Sequence, residues 1–158
     1  LCFGSWCTHI LDDLHDKHHL IQIGIRSSGR PQSHWEETFG VRQHWAKDIK
    51  AHGIQQTIDN ILNQLKDENI DELYVSFDID AIDESFASAT GTPEPDGLMP
   101  SDAMDILCAL AAKYPITGAD MMEIAPFTDS SGQGLAGQEK TLKVGAEISA
   151  FLLEEMSK

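Results

Sequence analysis

Basic residues are scarce in this sequence. Of its 158 residues, 11 are Lys or Arg and 26 are Asp or Glu, which gives a formal net charge of −15 at pH 7. Nucleic-acid binding requires a basic surface that neutralises phosphates, so the composition argues against a nucleic-acid partner. An acidic surface attracts cations and is compatible with a small cationic substrate. Solubility alone explains the charge as well, because a high net charge of either sign keeps copies of a chain apart.

Cysteine and long apolar stretches are also scarce. Cys2, Cys7 and Cys108 cannot all pair within the chain, and none belongs to a C-x-x-C motif, which argues against zinc and thioredoxin-like sites. We interpret Cys108, which lies in an apolar run, as a small buried residue, and we expect a reducing, cytoplasmic location. No apolar run reaches the ~20 residues of a membrane span, and no secretory signal is visible. The chain begins at Leu1 rather than Met, which we expect to reflect truncation or processing.

Apolar runs alternate with helical patterns, which predicts an α/β fold with a parallel sheet. Hydrophobic residues make up 41 % of the chain, as in globular domains, and we treat residues 1–158 as one domain. The last helix is expected to carry Leu142, Ala146, Ser149 and Leu153 near one face. The predicted strands span 19–25, 41–45, 73–80 and 116–124, and the predicted helices span 32–39, 54–66, a segment capped by Ser101, and 138–155.

An acidic pair closes the most apolar predicted strand. Residues i and i+2 of a strand share a face, so Asp78 and Asp80 are expected to lie side by side on a strand that is buried on both faces. Two ionised carboxylates there would cost on the order of several kcal/mol, and bound divalent cations would compensate them. Ligands of open α/β sheets bind beyond the carboxyl ends of strands. Two alternatives are that the carboxylates cap the following loop, or that one is a phosphoacceptor.

The residues that follow form a longer and more specific pattern. Residues 76–83 read Ser-Phe-Asp-Ile-Asp-Ala-Ile-Asp, and residues 89–98 read Ala-Thr-Gly-Thr-Pro-Glu-Pro-Asp-Gly-Leu. Together they closely resemble the signature of the ureohydrolases, the family of arginase and agmatinase. Segments 22–27 and 120–126 match the family in the same order, so the resemblance covers nearly the whole chain and is greatest to agmatinase. It implies the C-terminal half of a three-layer, doubly wound parallel sheet of the arginase type.

The resemblance also implies roles for individual residues. The family's signature aspartates bind two Mn²⁺ ions, and they correspond to Asp78, as a bridging ligand, and to Asp80. The ions ionise a water that attacks the guanidinium carbon and releases urea. Glu123 matches a carboxylate that pairs with the substrate guanidinium, and Thr92 matches a threonine near the same end of the substrate. His9 matches a histidine that shuttles protons.

These assignments have alternatives. Glu123 is also explained as a strand-end charge paired with a lysine, and His9 as a solvated histidine in a polar segment. The family's other metal ligands lie in Gly-Gly-Asp-His and Asp-x-His-x-Asp motifs, and neither motif occurs in this sequence. We therefore expect the domain to be incomplete and inactive alone. The remaining histidine cluster is interpreted as a solvated helix end; its members are His15, His18 and His19.

Two functions remain open. The first is a fragment of an agmatinase-like enzyme whose complete form converts agmatine to putrescine and urea, with arginine or guanidinobutyrate as alternative substrates. The second is a non-catalytic, ureohydrolase-like subunit or scaffold. Complete family members commonly form trimers or hexamers, which implies a homo-oligomer. The sequence departs from the family at Glu84 and Ser88, where proline is usual, and at Asp96, where glycine is common. Because proline fixes φ, we expect the loop at Glu84 and Ser88 to be more mobile.

Overall fold

The computed structural model describes residues 6–128 and 132–158. Its strands are β1 (Ile21–Ile25), β2 (Arg42–Trp45), β3 (Leu73–Asp78) and β4 (Ile116–Met122). Its α-helices are α1 (Trp6–Ile10), α2 (Gln32–Phe39), α3 (Ala46–His52), α4 (Ile54–Asp67), α5 (Pro100–Ala111) and α6 (Gly134–Met156), with 3-10 helices at Lys17–His19 and Ile79–Ala81. Within these ranges, no helix has both the length and the apolar character that crossing a bilayer requires.

The strands form two parallel pairs. β1 pairs with β2, and β3 pairs with β4, so the predicted parallel α/β arrangement is confirmed. In the described part of the chain the four strands do not join into one continuous sheet. A side-chain contact links the two pairs, because the Nη1 of Arg26, just after β1, donates to the carbonyl of Ala81, just after β3, at 3.0 Å.

Two apolar clusters hold the helices on the strands. In the first, β3 and β4 pack against α5 and α6 through residues such as Phe77, Leu107 and Ile148. In the second, α4 packs against α5, because Ile58, Ile61 and Leu65 recur at helical spacing and are all buried. Burial of one such side chain contributes about 1.5–3 kcal/mol, so these clusters supply much of the fold's stability.

Two predictions about α5 need correction. Cys108 is exposed rather than buried, because it lies about 100° around α5 from Leu107, which faces the core. Ser101 lies inside α5, which begins at Pro100 and has no side-chain cap at Met99. Proline suits a first helical turn because the missing N–H needs no partner there.

α6 buries a face other than the one that carries Leu142 and Leu153. Val144, Ile148 and Leu152 lie in the core, whereas Leu142 and Leu153 are exposed. The predicted stripe that joins Leu142 to Leu153 therefore does share one face, and that face points away from the described core.

Candidate metal and guanidinium site

Asp78 is the last residue of β3, and the chain turns there into the 3-10 helix Ile79–Ala81. The backbone N–H of Asp80 donates to Oδ1 of Asp78 at 2.9 Å, so Asp78 caps this turn. The prediction that both aspartates lie on the strand is wrong for Asp80. The strand stops because Ile79 enters the core, where its side chain is fully buried. The turn, rather than strand alternation, brings the two carboxylates together.

The environment of Asp78 disfavours its negative charge. Its pKa is raised, first because neighbouring atoms partly withdraw the carboxyl from water, although the residue as a whole is exposed. The charges of Asp80 and Glu123 raise the pKa further, whereas the N–H of Asp80 and the Arg26 guanidinium lower it. A partly desolvated carboxyl beside two others would be stabilised by a bound divalent cation.

Two threonine hydroxyls orient Asp80. Thr90 donates to Oδ1 of Asp80, and Thr92 donates to its Oδ2. Thr90 is 0 % exposed, so segment 90–92 folds back on Asp80 from a buried anchor. Thr92, predicted to lie near the substrate, is thus placed on a candidate metal ligand. Thr90 is not singled out by the sequence beyond its place in the matched segment, and the bends over 90–92 bring its hydroxyl to the same carboxylate as that of Thr92.

Glu123 follows β4 in a left-handed backbone conformation, with φ at 63°. That conformation costs an L-residue about 1–2 kcal/mol, and such strain persists mainly at functional sites. The carboxylate lies against the loop, because a Cβ built on Gly91 would be 3.6 Å from Oε2 of Glu123. Segment 90–92 therefore lies between Asp80 and Glu123. Among the ion pairs of residues 6–128 and 132–158, none joins Glu123 to a lysine. This disfavours the alternative in which Glu123 is a strand-end charge paired with a lysine.

Arg26 lies in the matched segment 22–27, but the sequence analysis assigns it no role of its own. Its guanidinium donates to the carbonyls of Asp80 and Ala81, so it fixes the 3-10 turn from the β1 side. Its Nε is buried and has no hydrogen-bond partner among residues 6–128 and 132–158. The signal in the sequence was a lone cation directly after an apolar strand in a strongly acidic chain.

His9 lies exposed on α1, and its role stays a prediction. Its neighbour Cys7 accepts a hydrogen bond from Nε2 of Gln22 at 3.1 Å, and burial raises the pKa of the Cys7 thiol to about 11.

The other acidic and histidine cluster is an ion-pair network. Nδ1 of His18 lies 3.5 Å from Oδ1 of Asp16 and 4.0 Å from Oε1 of Glu68. These groups converge closely enough to hold an ion. Glu68, however, already pairs with the guanidinium of Arg42 at 2.5 Å, which places a positive charge where a metal would sit. His15, His18 and His19 are exposed, as the sequence predicted.

The donor set at the carboxyl ends of β3 and β4 fits a hard divalent cation. Asp78 and Asp80 offer carboxylate oxygens, which suit Mg²⁺ or Mn²⁺. Arg26, whose charge acts on the Asp78 carboxyl, donates its hydrogen bonds to backbone carbonyls. The structure thus brings Asp78, Asp80, Thr92 and Glu123 together, and the roles assigned to them stay predictions.

Comparison with known proteins gives a consistent result. Residues 2–153 match the arginase family model. The chain is 35 % identical over 158 residues to proclavaminate amidinohydrolase of Streptomyces clavuligerus, covering 98 % of this chain and 47 % of that protein. It is 34 % identical over 128 residues to a mitochondrial agmatinase of Gallus gallus, covering 77 % of this chain and 35 % of that protein. The chain thus spans half the length of these relatives or less.

Solved structures agree with the predicted arginase-like sheet. A hypothetical agmatinase from Burkholderia thailandensis superposes with a TM-score of 0.72 at 26 % identity, covering 98 % of this chain and 45 % of that one. The structure of proclavaminate amidinohydrolase superposes with a TM-score of 0.69 at 28 % identity, covering 94 % of this chain and 47 % of that one. From the matched motifs, the fold and these likenesses together, the chain belongs to the arginase family.

Proposed function

We propose that residues 1–158 form an incomplete domain that supplies part of the active site of a metal-dependent guanidino hydrolase. One observation carries this proposal: Asp78, Asp80 and Glu123 come together around the Thr90–Thr92 segment, although they belong to different elements. The names of the relatives, which include agmatinase and guanidino acid hydrolase, support a guanidino substrate.

Asp78 and Asp80 are the residues that would hold the cations, two Mn²⁺ ions in the complete enzyme. Bound Mn²⁺ would supply the Lewis acid that makes water nucleophilic near neutral pH. The hydroxyls of Thr90 and Thr92 fix the orientation of the Asp80 carboxylate, as outer partners of metal ligands commonly do. Arg26 holds the backbone of the same turn, so the chain pre-organises both carboxylates.

Glu123 would bind the substrate through its guanidinium, because a carboxylate and a planar fork of N–H donors make two parallel hydrogen bonds. The left-handed backbone aims the carboxylate at Gly91, where the absence of a side chain leaves room beside it. His9 would pass a proton to the departing amine.

Agmatine is the substrate that we favour, with arginine and guanidinobutyrate as alternatives. The preference comes from segments 22–26 and 123–126, which are most like agmatinase. Other relatives of comparable identity are named for proclavaminate and formimidoylglutamate chemistry, so the family alone leaves the substrate open. A trimer or hexamer of the complete enzyme and a cytoplasmic location belong to the same proposal, although some relatives are named as mitochondrial.

A non-catalytic subunit is the second candidate, and the departures at Glu84 and Ser88 favour it. Ser88 is nonetheless buried against α6, since a Cβ built on Gly137 would be 2.1 Å from its hydroxyl oxygen. Packing therefore holds this end of the loop where the family uses proline.

The test uses a fusion, defined as this chain joined to the part of the Streptomyces clavuligerus relative that lies outside the matched 47 %. With excess Mn²⁺ and agmatine or arginine, we expect urea from the fusion and none from this chain alone. Asp78→Ala should abolish both urea release and bound Mn²⁺, whereas Asp105→Ala, on the exposed side of α5, should preserve both. Full activity in the Asp78→Ala fusion would remove Asp78 from the site, and a fusion that binds Mn²⁺ without releasing urea would favour the non-catalytic alternative.

A further inference from the structure

A loop over residues 83–97 carries the Thr92 hydroxyl to the Asp80 carboxylate. Its first residue, Asp83, also holds its last residue, because Oδ2 of Asp83 accepts the N–H of Gly97 at 3.2 Å. We infer that Asp83 is a positioning residue, which closes this loop and thereby keeps the Thr92 hydroxyl in place on Asp80. This inference rests on the proposed function, in which Asp80 is a metal ligand.

The carboxylate of Asp83 joins the two arms of the loop at its neck. Oδ1 accepts from the N–H of Ser85 at 3.0 Å and from the Ser85 hydroxyl, while Oδ2 accepts from Gly97 on the other arm. Although burial alone would raise it, hydrogen bonds from these donors and from the N–H of Asp96 hold the pKa of Asp83 below its usual value. The group is therefore an anion at neutral pH, and hydrogen bonds to an ionised acceptor are about twice as strong as neutral ones.

The backbones of the two arms also meet at the neck. The N–H of Asp83 donates to the carbonyl of Leu98 at 3.0 Å, and a Cβ built on Gly97 would lie 2.4 Å from the Asp83 nitrogen. The N–H of Glu84 donates to the carbonyl of Glu94 at 3.2 Å. Proline, which is usual in the family at position 84, has no N–H and could not make this bond. This chain therefore joins its arms by hydrogen bonds at a position where the family uses a rigid residue.

The return arm, residues 92–97, depends on the neck because burial does not hold it. Each of its residues is exposed or half-buried, and Asp96 has a left-handed backbone with a φ of 61°. Glycine, which is common at position 96 in the family, adopts that conformation easily, whereas other residues resist it. The Asp83 carboxylate stabilises this turn by accepting the N–H groups of Asp96 and Gly97. The ion pair of Lys50 with Asp96 is 71 % and 74 % exposed, and such pairs contribute little.

Thr90, the other threonine donor, is anchored elsewhere. It is buried, and the N–H of its neighbour Ala89 donates to Oγ1 of Thr141 on α6 at 2.9 Å. The carbonyl of Ala89 accepts the N–H of Ala125, which follows β4, at 2.9 Å. Release of the neck should therefore free Thr92 and leave Thr90 in place, so the two threonines form a matched pair for the test.

The first measurement is the side-chain rotamer of each threonine, read from three-bond NMR couplings in this chain. In the unchanged chain we expect one χ1 rotamer at Thr92 and one at Thr90, because a hydrogen bond fixes each hydroxyl. Asp83→Asn replaces one acceptor oxygen by a donor, so we expect Thr92 to average over several rotamers and Thr90 to keep one. The control is Lys50→Ala, which breaks the exposed ion pair of the same arm and should change neither threonine.

Amide hydrogen exchange in the unchanged chain tests the neck without any substitution. The N–H of Gly97, which is bonded to Asp83, should exchange about tenfold more slowly than that of Gly29, which lies exposed in a loop. Equal rates at the two glycines overturn the inference, whether or not the Asp83→Asn variant folds.

Metal affinity in the fusion relates the neck to the site. Loss of an outer partner of a metal ligand typically weakens metal binding about 10–100-fold, so we expect Asp83→Asn to weaken Mn²⁺ binding by about tenfold, as read from the electron paramagnetic resonance of free Mn²⁺. Thr92→Val should have the same effect, and the double variant should bind no more weakly than either single variant. Thr90→Val acts on the separately anchored donor, so its effect should multiply with that of Asp83→Asn.

The two readouts separate this inference from the proposed function. A single Thr92 rotamer in Asp83→Asn overturns the inference and leaves the proposed function standing. Effects of Asp83→Asn and Thr92→Val on Mn²⁺ binding that multiply also overturn it, because a general loss of structure would act independently of Thr92. Averaging at Thr92 in a fusion whose Mn²⁺ binding is absent or unchanged supports the role of Asp83 in holding Thr92. The same result counts against Asp80 as a metal ligand and hence against the proposed function.

Discussion

Replacement of Glu123 tests whether the backbone strain at the site belongs to its carboxylate. The residue has a φ of 63°, which costs an L-residue about 1–2 kcal/mol and costs glycine nothing. Glycine loses about 0.5–1 kcal/mol in return, because its unfolded chain is more flexible. The difference predicts that Glu123→Gly is more stable than Glu123→Ala by about 0.5–1 kcal/mol. Both variants remove the charge that raises the pKa of Asp78, so their comparison isolates the backbone.

The measurement is urea denaturation of this chain at neutral pH, supported by thermal melts. For a chain of this length, a difference of 1 kcal/mol corresponds to about 2–4 °C in Tm, so we expect the glycine variant to melt about 1–4 °C above the alanine variant. Glu123→Gln keeps the side-chain length and the strain, so it should lie close to the alanine variant. An alanine variant as stable as the glycine variant would refute the assignment of strain to this residue.

The same variants link strain to function. In the fusion, Glu123→Gly, Glu123→Ala and Glu123→Gln should all lose urea release, because each lacks the carboxylate that pairs with a guanidinium. A glycine variant that gains stability and loses activity would show that the site retains strain for the sake of the carboxylate. Activity in the alanine variant would show that Glu123 does not bind the substrate.

Three further outcomes follow from the structure. A Cβ on Gly97 would lie 2.4 Å from the backbone nitrogen of Asp83, so Gly97→Ala should destabilise the chain by about 1–3 kcal/mol in urea denaturation, whereas Gly29→Ala, with open space around it, should change stability little. In a Cys2→Ser background at pH 8, iodoacetamide should modify the exposed Cys108 long before Cys7. The pKa of Cys7 is about 11, so on the order of a thousandth of its thiol is thiolate at that pH. Equal rates of modification would contradict the burial of Cys7. The folded pKa of Asp78 is raised above 3.8, so the folded chain binds more protons than the unfolded chain in that range. In metal-free buffer, the contribution of Asp78 to stability should therefore fall as pH rises from about 3.8 through the raised value. Measurements of stability against pH should show that Asp78→Asn removes this fall.

Much of this molecule follows from patterns that are local in sequence. The 3–4 spacing of Ile58, Ile61 and Leu65 predicts α4, because a helix repeats every 3.6 residues whatever surrounds it. The apolar run before Asp78 predicts β3, and the run 116–124 predicts β4 with Glu123 near its end, one residue past the last residue that the structure assigns to the strand. These features depend on neighbours along the chain, so the sequence by itself determined them.

Other features depend on contacts between distant segments, and only the tertiary structure decided them. Asp80 leaves the strand because Ile79 is drawn into a core that α5 and α6 build. Thr90 reaches Asp80 because its segment is anchored against buried neighbours, and Glu123 takes a left-handed conformation that no local pattern announces. The sequence predicts that both faces of β3 are buried, but the face that carries its exposed residues is uncovered in the described part of the chain. Alternation along a strand shows which side chains share a face, but it does not show what covers that face. A local pattern fixes spacing and direction, whereas burial and proximity are properties of the whole packed chain.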